Sequence, residues 1–171
     1  MDKKELLKLI YEEIDFKEGE LKDDEIVWKN IFGAEHGVSE YNIAFQNGMF
    51  AWYEDNDVGF DVLKLKINSN FVLEWKVPVN SMGFSYGGCR FIEFCENFLI
   101  VMYADKHRDQ LVVINTQTFE LENLGVLSRS PSVDLNGNVL IVKEKNEENS
   151  GFTVRFHDEV FTKEILEEPF T

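Results

Sequence analysis

Apolar positions recur with two different periods along this chain, and the change falls near residue 25. Before it, Leu6, Leu7, Ile10 and Ile14 repeat at helical spacing, with Lys3, Lys4, Lys8, Glu12 and Glu13 on the other side. Asp2 and Glu5 have the spacing of a capping box, in which the first side chain accepts from a backbone N–H three residues on. The pattern predicts a helix over 2–14, ended by Gly19 and the acidic stretch 18–25. From about 25 to 168 the chain changes to short β-branched and aromatic runs separated by turn residues, the pattern of strands.

These runs repeat. The stretch from Asn47 to Glu54, followed by Phe60–Leu65 and Phe71–Trp75, aligns with Asn97–Tyr103, Leu111–Ile114 and Phe119–Leu121. A third copy runs Gly137–Val142, Phe152–Phe156 and Val160–Thr162. Each copy is preceded by one more strand candidate, Tyr41–Phe45, Arg90–Phe94 and Ser132–Leu135. Four strands per unit, with units roughly 40 to 50 residues apart, is the interval of a propeller blade. Phe98–Tyr103 and Leu111–Ile114 are unbroken apolar runs, which a strand needs when both faces of its sheet are covered. Ile26-Val27-Trp28-Lys29 echoes Leu73-Glu74-Trp75-Lys76, giving three units and one leading strand. The expected fold is mainly β: antiparallel blade-like repeats, closed as a propeller or open as stacked sheets. The helix and leading strand are placed to cover an exposed sheet edge.

Length and charge narrow the picture. The chain has 171 residues, enough for one domain with a substantial core. Its 17 Lys and Arg stand against 32 Asp and Glu, a net charge of −15. A field of that sign repels nucleic acid and anionic membranes and steers basic partners inward. No apolar run approaches the ~20 residues of a membrane span, and the first residues lack the apolar stretch of a secretory signal. A cytoplasmic location is expected, with Cys89 and Cys95 as reduced thiols on one extended segment, roughly 20 Å apart.

Candidate chemistry is sparse. Asp55, Asp57 and Asp61 stand around Gly59 at the alternate spacing that suits oxygen ligation of Ca²⁺. The distal Glu of a calcium loop is missing and the other units do not repeat the pattern, so the segment reads as an acidic hairpin turn. His36, His107 and His157 have no His or Cys neighbour at metal-ligand spacing. Ser85-Tyr86-Gly87-Gly88-Cys89 leads into a strand, whereas a phosphate loop leads into a helix. No catalytic residue, metal or cofactor is assigned. In a blade, the loops between second and third strands emerge on one side. That would gather Glu54, Asp55, Asp57, Asp105, Asp109, Glu144, Glu147 and Glu148 into a face for a basic partner. Trp28, Phe84 and Tyr86 are the aromatic alternative for such a contact.

In size, acidity and lack of catalytic residues the chain resembles the small immunity proteins of bacterial toxin systems, such as those of contact-dependent inhibition. The resemblance implies a cytoplasmic, non-enzymatic protein that neutralises a basic nuclease toxin by covering its active site. The alternative is a small-ligand-binding or enzymatic propeller-like domain with a concave pocket of convergent polar groups. If the loop acids dock the partner, Asp105→Lys combined with Glu147→Lys slows association several-fold at low salt and leaves the domain folded. Stopped-flow association rates across ionic strengths check this; unchanged rates at low salt exclude that face.

Overall fold

The computed structural model describes residues 2–12, 20–22, 25–29, 35–56, 61–67, 70–77, 88–105, 108–127, 131–144 and 150–166. Helix α1 (Lys3–Glu12) starts where the sequence places it, with Asp2 Oδ1 accepting from Glu5 N at 2.8 Å. Residues 13 and 14 of the expected helix lie outside the described residues.

Strands β1 (Glu20–Lys22), β2 (Glu25–Lys29) and β3 (Glu35–Ser39) form an antiparallel ribbon. Then come three four-stranded meanders. Sheet 1 comprises β4 (Ile43–Gln46), β5 (Met49–Asn56), β6 (Asp61–Ile67) and β7 (Asn70–Val77). Sheet 2 comprises β8 (Cys89–Cys95), β9 (Phe98–Asp105), β10 (Arg108–Asn115) and β11 (Leu121–Leu127). Sheet 3 comprises β12 (Ser132–Asn136), β13 (Val139–Lys143), β14 (Gly151–His157) and β15 (Val160–Ile165). The three sequence repeats are the three sheets.

The repeat extends to the turns. Each first hairpin is a two-residue connection whose first residue is left-handed: Asn47 (φ 47°), Glu96 (φ 51°) and Gly137 (φ 62°). Asn47-Gly48, with both φ positive, has the hairpin turn that matches strand twist. These three turns also tie the sheets together. Gln46 Nε2 donates to Glu96 O at 2.8 Å, and Cys95 Sγ to Gly137 O at 3.7 Å.

Packing follows the two-residue period of the strands. On β9, Leu99, Val101 and Tyr103 meet sheet 1, while Phe98, Ile100 and Met102 meet sheet 3. On β10, Val112 and Ile114 face sheet 1, while Leu111 and Val113 face sheet 3. Sheet 2 is therefore buried on both faces, which accounts for its unbroken apolar runs. Ala51, Tyr53, Leu63 and Leu65 are the sheet 1 side of the first interface. Leu140, Val142, Phe152, Val154 and Phe156 are the sheet 3 side of the second.

The two ends of the stack differ. Leu6, Leu7 and Ile10 of α1 close the outer side of sheet 1, packing with Ile43, Trp52, Ile26 and Val38. The helix thus covers a face, not an edge as its position in sequence suggested. The ribbon holding Trp28 is no separate unit either: β3 pairs with the end of β5 through His36↔Asn56 and Gly37↔Asp55. At the other end, the outer face of sheet 3 carries exposed Ser132, Asp134, Lys143, Arg155, Thr162 and Glu164. That face is wet, and the stack is open there.

Alanine substitution tests this geometry. Leu99→Ala and Ile100→Ala, on opposite faces of β9, each lower stability by about 2–5 kcal/mol. Arg155→Ala and Thr162→Ala, on the wet face of sheet 3, stay within about 0.5 kcal/mol. Urea unfolding midpoints read both; a small loss at either β9 position excludes two-sided burial.

Candidate binding recess between sheets 2 and 3

An antiparallel meander sends its first and third hairpins to one end and its second hairpin to the other. The acidic positions expected to dock a partner belong to the second-hairpin end, and among the described residues Glu54 and Asp109 are buried within strands. Glu54 is not in a loop, because β5 runs on to Asn56. It is 8% exposed, accepts from Trp52 Nε1 at 3.0 Å and pairs with Lys64 Nζ at 2.8 Å. Asp109 is also within a strand, 1% exposed, with Arg90 Nε 3.6 Å from its carboxylate. Both are turned into the sheets and hold local structure. Glu144 follows β13, half-buried, and lines a cavity of about 230 Å³ with Leu124, Phe152 and Lys163. Asp55 lies in β5 and Asp105 ends β9; Asp57, Glu147 and Glu148 lie outside the described residues.

Asp61, of the calcium-like spacing, is 1% exposed and accepts from Tyr53 Oη at 2.7 Å. Among the described residues, no group of three or more His, Cys, Asp or Glu side chains is placed to hold a metal. Cys89 and Cys95 are both free, and burial, with a smaller contribution from the Glu96 charge, pushes the Cys95 thiol up. His157 ends β14 in an exposed position, and His36 lies in β3. Of the aromatic candidates, Trp28 lies in β2, while Phe84, Tyr86 and His107 are outside the described residues.

A recess opens at the other end of the stack. It has a volume of about 520 Å³, between β10–β11 on one side and the β14–β15 hairpin on the other. Phe98, Val113 and Phe161 line it together with Leu121 and Val160, and Asn115, Glu120, Glu122 and Glu159 supply its polar groups. Phe98 is anchored edge-on to Phe161, with centroids 5.4 Å apart and planes at 87°, and stands 5.5 Å from Phe156.

Local structure fixes both walls. Asn115 Oδ1 accepts from Gln117 N (2.8 Å) and Thr118 N (3.1 Å), the Asx-turn chemistry that sets a tight connection. Asn115 N donates to Glu120 O at 2.9 Å, and Phe119 takes φ 62° in that turn, so β11 begins at Leu121 rather than at Phe119 as expected. Glu122 stands opposite Val113 in register and shares its face. On the other wall, left-handed Asp158 (φ 43°) turns the chain from β14 into β15, and its carbonyl accepts from Asn97 N of sheet 2 at 3.3 Å.

Glu120, Glu122 and Glu159 are exposed, and among the described residues no lysine, arginine or histidine lines the recess with them. Leu121 (40% exposed) and Val160 (61% exposed) put apolar surface beside the carboxylates. The arrangement offers hydrogen-bond acceptors and negative charge above an aromatic floor. Reading by second-hairpin loops missed it, because Glu120 and Glu159 sit on third-hairpin connections and Glu122 in β11.

No family model and no curated protein matches this chain. Among solved structures, it is similar to the beta-propeller domain of the Trilobed protease from Pyrococcus furiosus, described as having an open velcro topology. The TM-score is 0.51 at 12% identity, covering 90% of this chain and 58% of that one. The likeness shows the fold: the sheets are propeller-like blades, and this chain spans little more than half the length of that domain.

Charge reversal separates structural carboxylates from available ones. Glu54→Lys and Asp109→Lys each cost roughly 3–5 kcal/mol of stability, since each breaks a buried charge pairing. Glu122→Lys and Glu159→Lys change stability by less than about 0.5 kcal/mol. Thermal and urea melts check the contrast, and equal losses at all four positions would overturn it.

Proposed function

We propose that this chain is a non-catalytic binding module that recognises a basic partner protein, in the manner of an immunity protein occluding a toxin nuclease. The observation that carries the reading is the recess between sheets 2 and 3, where exposed Glu120, Glu122 and Glu159 surround aromatic and aliphatic surface. The net charge of −15 adds a long-range field that accelerates encounter with a cationic protein and weakens as salt rises. An apolar floor with a charged rim is the anatomy of a protein contact, in which the floor supplies affinity and the rim supplies orientation.

A second reading is a small-ligand site, favoured by the volume of about 520 Å³, which lies in the range of ligand pockets. Exposure of Leu121 and Val160 argues for the larger partner, because a small-molecule site encloses most of its ligand's surface.

The test is copurification with the C-terminal domain of whatever toxin-like protein an adjacent gene encodes, at low and at high salt. The expected result is a one-to-one complex that abolishes nuclease activity, with an association rate that falls steeply as ionic strength rises. Absence of a complex at either salt concentration would overturn the proposal.

A further inference from the structure

From the seam between sheets 2 and 3 we infer that the large recess receives an arginine or lysine side chain of the partner. Its aliphatic stem lies on Phe98 and Phe161, and its cationic head lies between Glu122 and Glu159. This deepens the reading of the chain as a binder of a basic protein and rests on it.

The seam already contains one such arrangement, made by the protein itself. Lys163 projects from β15 into the gap, with Nζ 4.3 Å from the centroid of Phe152 and donating to Leu124 O of sheet 2 at 2.9 Å. Lys163 and Phe161 are two residues apart and so share a face of β15, one strand repeat of ~7 Å from each other. The next position along the seam also sets aromatic rings beside acceptors, and no lysine or arginine is among its described lining residues. There Phe161, two residues before Lys163 on the same strand, stands edge-on to Phe98, and the carboxylates of Glu122 and Glu159 supply acceptors as the Leu124 carbonyl does for Lys163.

Charge selects the occupant. A cation held over an aromatic face gains from the ring quadrupole as well as from the carboxylates. A purely apolar side chain would cover the floor but draw three glutamates close to a low-dielectric surface. An anionic one would meet like charge at every approach. The partner's side chain is therefore long, apolar along its stem and positive at its tip.

The experiment titrates the full chain with three blocked tripeptides, acetyl-Gly-X-Gly-amide with X arginine, lysine or norleucine, followed by amide and aromatic NMR shifts. The arginine or lysine peptide is expected to give saturable shifts concentrated at Phe98, Glu122, Val160 and Phe161, and norleucine none that saturate. Glu122→Gln with Glu159→Gln weakens binding about tenfold, equal to about 1.4 kcal/mol. Glu12→Gln with Glu20→Gln removes the same charge from the helix end of the stack and leaves affinity unchanged. Equal affinity in both double variants, or saturable norleucine binding at the same residues, would overturn the inference. The toxin domain distinguishes the two levels. Unimpaired complex formation by Glu122→Gln/Glu159→Gln sinks the recess while the partner reading stands. Peptide binding in the recess without any complex sinks the partner reading alone.

Discussion

Everything in this molecule depends on sheet 2 being buried on both faces. A sheet with one wet face can stop anywhere, but a sheet whose β9 side chains are apolar at every position from Phe98 to Ala104 requires a neighbour on each side. Sheet 1 and sheet 3 meet that requirement, and each is then defined by the face it turns toward sheet 2. Tyr53 and Tyr103 stack across the first interface at 6.5 Å, with Trp75 edge-on to Tyr103 at 6.0 Å. Phe98, Phe156 and Phe161 interlock across the second. The hairpin turns with their left-handed first residues then hold the inner strands in step.

Two-sided burial also decides where charge can reside. With both faces of sheet 2 and the inner faces of its neighbours closed, acidic side chains are confined to hairpins, outer strands and the wet face of sheet 3. Those that intrude must be partnered, as Glu54 is by Lys64 and Trp52 and Asp61 is by Tyr53. The net charge of −15 acts on whatever approaches the molecule.

The strand repeat was legible in the sequence because its signals are local: unbroken apolar runs, two-residue turns, aromatic spacing. The open end was equally legible in principle. Phe152-Thr153-Val154-Arg155-Phe156-His157 alternates strictly, the mark of one wet face, and differs from Phe98–Tyr103 for that reason. The candidate site was harder to see. Glu54 and Asp109 look like loop acids because each is flanked by polar residues, yet the strands run past the apolar segment and turn both inward. Glu122 and Glu159 come from different hairpins of different sheets, and their convergence depends on how two sheets splay, which no local pattern encodes. The echo between Trp28 and Trp75 misled for a similar reason. The two segments share composition, while pairing decided that β2 joins a ribbon on sheet 1.

The seam itself follows from blade geometry. Sheets that meet along their inner strands diverge outward, as each strand adds its share of twist. The recess between sheets 2 and 3 lies at the later strands of each, β10–β11 and the β14–β15 hairpin. Phe98, Phe156 and Phe161 pack together between the sheets, and Lys163 reaches from β15 to the Leu124 carbonyl with its Nζ over the Phe152 ring. Where the chain supplies no further side chain, a recess of about 520 Å³ remains, with apolar walls made by the strands and acidic rims made by the hairpins. Its shape is thus a by-product of stacking twisted sheets, while its charge comes from residues that stacking leaves free to vary. Recognition of a cation on an apolar stem needs both, and the fold supplies them at the same place.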